Sequence, residues 1–222
     1  TGQPSTFYMP AHMEGQIAEL PGVGQTSPQV FVQTLTNAKC CIGEFFLIGF
    51  DPQTDFTISP WLSTHLKGEV LGPFDVIAGD RILLRAGDGA TFYGTSFTIA
   101  GVLEKTGMGI DRTIYVPIEG LRQMIADSIE LAEEALKISP DEISSVMVAV
   151  EAGADVIDVA ETIEGSLADV NVFTASQLNQ AVARQMQGMM GITFGVTATL
   201  WLMSLLLVGL IFSLIVNERQ RE

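Results

Sequence analysis

The last part of the chain constrains its fold most strongly. Residues 188–216 contain no charged side chain, and charge returns abruptly at Glu218. A run of about 20 apolar residues is long enough to cross the hydrocarbon of a bilayer as a helix. Helix is the expected conformation, because backbone polar groups in lipid must pair within the segment. We therefore predict a transmembrane helix over residues 188–216. The alternative is a core helix of a soluble protein, but such helices are usually shorter and carry a polar face.

Charged residues near this helix predict its orientation. Arg219 and Arg221 follow it directly, whereas only Arg184 lies just before it. Basic residues beside a membrane crossing favour the cytoplasmic side, so residues 217–222 are expected inside and residues 1–187 outside the cytoplasm. Residues 1–187 carry 24 acidic and 9 basic side chains. This balance argues against nucleic-acid binding and against docking on anionic lipid, since both need basic patches.

The chain starts at Thr1 without an initiator Met or a signal peptide. An outer domain that precedes its membrane helix needs an earlier crossing or a cleaved signal. We therefore expect the sequence to be part of a longer polypeptide.

Residues 28–117 alternate between apolar and polar positions and are rich in turn residues, which predicts mostly β-structure. The predicted strands are 28–36 and 44–50, joined as a hairpin, then short pieces within 75–85, a long strand over 91–104 that is bulged or bent at Gly94 or Gly101, and a strand over 113–117. A short helix is expected to begin at Ser59, as the cap, and Pro60.

The pattern changes after residue 117. Apolar spacing predicts a helix from Ile118 to about Lys137, a strand over 143–150, a helix over 156–167 and a strand over 169–173. Strand, helix and strand form a βαβ-type unit. The predicted fold class is therefore an α+β extracytoplasmic domain, with a β-rich part over 1–117 and a βαβ-type part over 118–174.

A stiff connection to the membrane is predicted next. Thr174 and Gln177 match a capping box, and no proline follows up to Val216. We expect a stalk helix over 175–187 that continues into the membrane helix. Gly191 and Gly195 are four residues apart, which is typical of a close-packing face for another membrane helix but is as readily a chance spacing in a glycine-rich span.

Two short motifs have competing interpretations. Cys40 and Cys41 are adjacent, which suits a thiol site or a redox-sensitive disulfide, or else a structural pair in a turn. The glycine-rich segment 106–111 lacks the following helix that a phosphate loop needs, so a tight hairpin with glycines at positive φ is predicted instead. His12 and His65 lack metal-ligand spacing, and no nucleophile motif is present, so we predict no catalytic, metal or cofactor site.

The final residues resemble a known family. The segment Asn217, Glu218, Arg219, Gln220, Arg221 and Glu222 is similar to the N-E-R-x-R-E-I-G motif that follows the second membrane helix in ABC-transporter permeases of the FtsX/MacB/LolC-LolE type. Three upstream stretches resemble the same family in the same order: residues 20–28 (its "lpGV…vsP"), 49–52 (its "G-x-D-p") and 106–117 (its "T-G-x-G-x-D…i-f-v-P").

This resemblance implies a permease subunit with a MacB-like periplasmic core domain before its second membrane helix. It implies that residues 217–222 begin a cytoplasmic coupling segment that contacts a separate ATPase, which would bind the ATP. It further implies a second permease subunit, in a homo- or heterodimer, and transmission of ATP-driven motion to the outer domain.

Two other functions stay open at the sequence level. A membrane-tethered sensor ectodomain would have the same anchor but no ATPase partner. A membrane-anchored redox enzyme would use Cys40 and Cys41.

Overall fold

The computed structural model describes residues 7–33, 46–60, 71–105, 109–133, 135–168, 170–177 and 193–211. The chain forms two compact units, Thr1–Ser166 and Leu167–Glu222. Cys40, Cys41, Gly191 and the segment 217–222 lie outside the described residues.

The first unit contains nine strands and three α-helices that lie wholly within the described residues, and Ser59 and Pro60 are also helical. The strands are β1 (Met9–Pro10), β2 (Val23–Gln33), β3 (Phe46–Phe50), β4 (Asp75–Ala78), β5 (Gly89–Phe92), β6 (Thr95–Val102), β7 (Thr113–Pro117), β8 (Glu142–Ile143) and β9 (Ser145–Val150). The helices are α1 (His12–Ala18), α2 (Ile118–Leu131) and α3 (Val156–Ser166), with a 3₁₀-helix at Gly109–Arg112.

Seven strands form one mixed sheet in the order β5-β6-β4-β7-β3-β2-β9, and β1 pairs separately with β8. The β3–β7 and β4–β6 pairs are parallel, and the other pairs are antiparallel. Helices accompany this mixed sheet, so the α+β fold class is confirmed.

Both faces of the sheet are covered, which explains why all five residues of β7 are buried. On one face, α2 packs its Leu121, Met124 and Ile125 side chains into the larger core cluster. On the other face lies a smaller cluster of Phe50, Ile58, Ile77, Leu103 and Tyr115. Strand alternation sends neighbouring residues to opposite faces, so one strand supplies both clusters.

The predicted β2–β3 hairpin is confirmed, because Gln29–Gln33 pairs antiparallel with Phe46–Phe50. The first strand begins earlier than predicted, at Val23. Its additional residues pair with β9. The strand predicted at 113–117 is also present as β7.

The long strand predicted over 91–104 is two strands, β5 and β6, which separate at Gly94, one of the two predicted bend positions. The chain reverses at Tyr93 and Gly94, whose φ angles are 49° and 88°, and β5 pairs antiparallel with β6. Two successive residues with positive φ form the tight turn that joins hairpin strands. The Tyr93 hydroxyl donates to the Gln33 carbonyl oxygen at 3.2 Å, which fixes this turn beside the end of β2.

The hairpin predicted at residues 106–111 is also wrong. The strands on either side of it, β6 and β7, are not neighbours, because β4 lies between them and pairs with both. The segment before β7 is a 3₁₀-helix, Gly109–Arg112. Residues 106–108 lie outside the described part of the chain.

Helix α2 ends at Leu131 rather than near Lys137. The Ser128 hydroxyl donates to the Ile125 carbonyl oxygen at 2.6 Å and accepts the Leu136 N–H at 3.0 Å. Ala132 is extended, with φ −99° and ψ 155°. The serine therefore closes the helix and holds the returning chain against it.

Residues 170–173 carry no strand, contrary to the strand predicted at 169–173. The predicted domain limits stay predictions. The limit at 117/118 falls where β7 ends and α2 begins, and the sheet takes up a further strand, β9, after it.

The second unit contains one long described helix, α4 (Thr193–Ile211). Residues 175–177 are also helical, and residues 178–192 between them lie outside the described range.

Candidate functional site

Helix α4 has the dimensions and surface of a membrane span. It has 19 residues and a mean hydropathy of 2.1, and none of its apolar stretch is buried. At ~1.5 Å per residue its length is about 28 Å, close to the ~30 Å of bilayer hydrocarbon. Leu200, Trp201 and Leu210 each expose more than 60% of their surface. A helix that is apolar on all sides requires an apolar surrounding.

The polar side chains of α4 suit that surrounding. The Thr199 hydroxyl donates to the Gly195 carbonyl oxygen at 2.8 Å, one helical turn back. This bond satisfies the hydroxyl within its own helix, so it does not need water.

The start of the helical connection is built as the sequence predicted. The Gln177 N–H donates to the Thr174 hydroxyl at 3.3 Å, and the Thr174 N–H donates to the Gln177 side-chain oxygen at 3.1 Å. These reciprocal bonds form a capping box, which fixes the first turn of a helix. The Thr174 hydroxyl also lies 2.9 Å from the Ser176 hydroxyl, and Thr174 itself is buried.

Of the residues predicted to serve function, the structure describes only Gly195. A Cβ built there has no atom within 4 Å, so its face of α4 is open to a neighbour. Its predicted partner position, Gly191, lies outside the described residues, as do the cysteine pair and the coupling segment. Their roles stay predictions.

Asp55 is a structural residue that sequence reasoning missed. It is 5% exposed, and its carboxylate accepts the Ile58 N–H at 2.6 Å, the Ser59 N–H at 2.8 Å and the Thr57 hydroxyl at 2.7 Å. Ser59 and Pro60 are helical, where the sequence predicted a helix to begin, and the Asp55 carboxylate satisfies two N–H groups at this helix start.

Tyr115 lies near this buried carboxylate. Burial raises the pKa of the Tyr115 hydroxyl to about 12, and the negative charge of Asp55 adds to the effect. Such a hydroxyl stays neutral at physiological pH. Within the described ranges, no group of three or more His, Cys, Asp or Glu side chains is placed to hold a metal ion.

Comparison with known proteins places the first unit in a family. Residues 2–166 match the family model described as the MacB-like periplasmic core domain. No curated protein matches the sequence significantly.

Two solved structures are similar to the chain. One is the periplasmic region of MacB from Actinobacillus actinomycetemcomitans, with a TM-score of 0.50, 11% identity and coverage of 79% of this chain and 83% of that one. Another is the extracellular domain of the noncanonic ABC-type transporter YknZ from Gram-positive bacteria, with a TM-score of 0.47, 14% identity and coverage of 73% and 83%. At such identities the MacB structure supports the fold alone. The family match spans most of the chain, so the protein belongs to the MacB-like periplasmic core domain family.

Proposed function

We propose that this chain is the extracytoplasmic domain and second membrane helix of an ABC-transporter permease subunit. In this proposal it couples ATP hydrolysis by a separate cytoplasmic ATPase to transport or mechanical work outside the membrane. The observation that carries the proposal is the combination of a MacB-like periplasmic core domain over residues 2–166 with an unburied apolar helix, α4. The domain itself is not an enzyme in this account.

The direction in which the chain crosses the membrane is inferred from the basic residues beside the span. Arg219 and Arg221 directly follow the apolar run, and basic residues beside a span favour the cytoplasmic side. Residues 1–187 then lie outside the cytoplasm and residues 217–222 inside. The family of the first unit is periplasmic, which agrees with this direction.

Transmission requires a stiff link between the outer domain and the membrane. The capping box at Thr174 starts a helix, and no proline occurs from there to Val216. A proline would remove a backbone hydrogen bond and kink the helix, and this stretch contains none. An unbroken helix would move its two ends together. We propose that it acts as a lever between the ATPase side and the outer domain.

The cytoplasmic contact is proposed at residues 217–222. Residues 217–222 carry charges of both signs, at Glu218, Arg219, Arg221 and Glu222 beside the polar Asn217, which suits a polar contact with another protein. ATP would be bound by that partner, and this chain would hold no cofactor. A second permease subunit and membrane lipid complete the proposed assembly, with no role for nucleic acid.

The lever is tested by making it flexible. A Gly-Ser insertion after Gln187, in the full transporter with its ATPase, should leave ATP hydrolysis measurable but abolish the ATP-dependent movement of the outer domain. Movement is followed by the distance between two spin labels on α3 of paired subunits. The same insertion at Gly153, an exposed turn with no atom within 4 Å of a built Cβ, serves as the control. Equal movement in both variants would contradict the lever.

A further inference from the structure

The apolar helix α4 carries polar groups along one of its faces. Thr197, Trp201 and Ser204 are four and three residues apart. At ~100° per residue, these three positions lie within about 60° of one another around the helix axis. All three side chains are exposed in the described structure, and Trp201 exposes 68% of its surface. We call Thr197, Trp201 and Ser204 the polar face of α4.

The groups on the polar face have no hydrogen-bond partner within the part of the chain that the structure describes. The Thr197 and Ser204 hydroxyls and the Trp201 indole N–H each lack one there. Thr199 differs, because its hydroxyl donates to the Gly195 carbonyl oxygen at 2.8 Å. An indole N–H is a donor only, and lipid hydrocarbon offers it no acceptor. The polar face therefore suits a membrane only if another protein segment supplies its partners.

Trp201 lies at the middle of the span. Helix α4 extends from Thr193 to Ile211, and its central residue is Leu202, next to Trp201. At ~1.5 Å per residue, each end of the helix is about 14 Å away from the centre. Membrane tryptophans are enriched instead at the two interfaces, where the indole N–H reaches water or lipid headgroups. The indole N–H of Trp201 is too deep for either, so its acceptor must lie inside the membrane.

The opposite side of α4 makes no such demand. Gly195, Leu202 and Leu206 lie there, on the far side of the helix axis from Trp201. Thr199 is on the same side, and its hydroxyl is already bound within the helix. Lipid tails solvate apolar side chains as well as a protein neighbour does. The two sides of α4 therefore differ, because only the polar face requires hydrogen-bond partners.

Apolar residues extend the line of the polar face in both directions. Phe194 precedes Thr197 by three residues, and Val208 and Ile211 follow Ser204 at spacings of four and three. Their side chains expose 73%, 48% and 51% of their surfaces. Alternating spacings of three and four residues form the seam along which two helices pack at a crossing angle near +20°. A water-filled cavity would instead wet the apolar residues at both ends of this seam.

We propose that the polar face packs against another transmembrane helix, which presents a Ser, Thr, Asn or Gln oxygen to the Trp201 indole N–H at the centre of the bilayer. These four residue types join membrane helices through hydrogen bonds. Thr197 and Ser204 lie about one turn before and after Trp201, so their hydroxyls can bond to the same helix. A polar group within an otherwise apolar seam also fixes the register of the two helices. The inference rests on the membrane span of the proposed function but not on its coupling to ATP.

The first test is site-specific photo-crosslinking in membranes of cells that produce the full transporter. A photoreactive phenylalanine replaces Trp201 in one variant. In the control it replaces Leu202, which has the same depth but lies on the other side of α4. We expect an adduct with a second membrane helix from position 201 and adducts with lipid alone from position 202. Mass spectrometry of the crosslinked peptide should show a Ser, Thr, Asn or Gln within one helical turn of the attachment point.

A second measurement separates a packed helix from a water-filled cavity and keeps Trp201 in place. Ser204→Cys is made in a full-length chain that carries Cys40→Ala and Cys41→Ala. A membrane-permeant maleimide should label it at least about tenfold more slowly than Gly153→Cys in the same background, because the reactive thiolate forms in water. Gly153 lies in an exposed turn of the first unit, so its cysteine reports labelling in solvent.

Three outcomes would overturn the inference. They are the absence of a helix adduct from position 201, equal helix adducts from both positions, and labelling of Ser204→Cys as fast as that of Gly153→Cys. A crosslinked helix without an acceptor near the attachment point would overturn it as well. Insertion of α4 is checked separately, by carbonate extraction of residues 1–222 produced behind a cleavable signal. An inserted α4 with lipid adducts alone leaves the proposed function standing, whereas an α4 that does not insert overturns both.

Discussion

Gly120, in the first turn of α2, lies directly against the backbone carbonyl of Pro73. A Cβ built at Gly120 would overlap the Pro73 carbonyl oxygen and would lie 3.5 Å from the Phe97 ring. One helical residue further on, the Leu121 side chain fills the space above Gly49, where a Cβ would overlap Leu121. The missing side chain at Gly49 therefore lets α2 approach β3 closely, and the one at Gly120 lets it approach the segment just before β4.

Gly120→Ala is expected to destabilise the first unit by about 1–3 kcal/mol, because the backbone of Pro73 must move to admit a methyl group. The midpoint of chemical denaturation measures this change. Gly165→Ala, in α3, is the matched control, since a Cβ there meets no atom within 4 Å. That substitution should be neutral or stabilising by up to ~1 kcal/mol through helix propensity. Equal effects at the two sites would show that α2 is less closely packed than described.

Thr174→Ala removes the hydroxyl that accepts the Gln177 N–H. Loss of an N-cap acceptor costs about 0.5–2 kcal/mol, so the first turn of the stalk should fray. Hydrogen exchange of the amides at 175–177 should become faster. Thr174→Ser keeps the acceptor and should leave exchange near the original rate. If Ala and Ser behave alike, the capping box does not hold this turn.

Ionisation of Tyr115 should make the fold sensitive to alkali. Burial raises its pKa from 10.0 to about 12 in the folded protein. Its contribution is fully present below pH 10 and is lost as the pH rises towards 12, because the unfolded chain releases the proton first. Denaturation midpoints between pH 9 and about 12 should fall more steeply than in Tyr115→Phe. Parallel curves for the two proteins would place this hydroxyl in solvent.

A charge in α4 should prevent membrane insertion. Leu202 is 62% exposed near the middle of the helix. An arginine at the centre of a span costs about 2.5–3.5 kcal/mol on insertion scales. In residues 1–222 produced alone behind a cleavable signal, Leu202→Arg should therefore move a large fraction of the protein out of the carbonate-resistant membrane pellet. Leu202→Phe, an apolar replacement, should stay in the pellet. Membrane retention of the arginine variant would indicate that α4 is not the span.

The elements that could be predicted from the sequence are those with strong local signals. The apolar run around Trp201, the capping box at Thr174 and the alternation of β2 and β3 each depend on neighbouring residues, and the structure contains them. The sequence-level errors involved backbone turns and long-range pairing. Gly94 indicated a bend in the predicted strand, but Tyr93 at positive φ is unusual for a bulky residue, so a full chain reversal there has a weak sequence signal.

Strand order is the second kind of information that the sequence lacks. The insertion of β4 between β6 and β7 is decided by hydrogen bonds between strands far apart in the chain, such as the pair Ala78 and Ile114. Nothing in the local pattern of residues 106–111 shows that its flanking strands are separated.

The most direct test is to determine on which side of the membrane each end of the chain lies. A protease recognition site is inserted at Gly153, in an exposed turn, and a second one is placed after Glu222 in the full-length protein. Protease is added to spheroplasts with an intact inner membrane. We expect cleavage at the Gly153 site without lysis, and cleavage after Glu222 only once the membrane is broken. Protection of the Gly153 site, or cutting after Glu222 in intact spheroplasts, would contradict an outer domain held by a helix whose arginine-bearing end faces the cytoplasm.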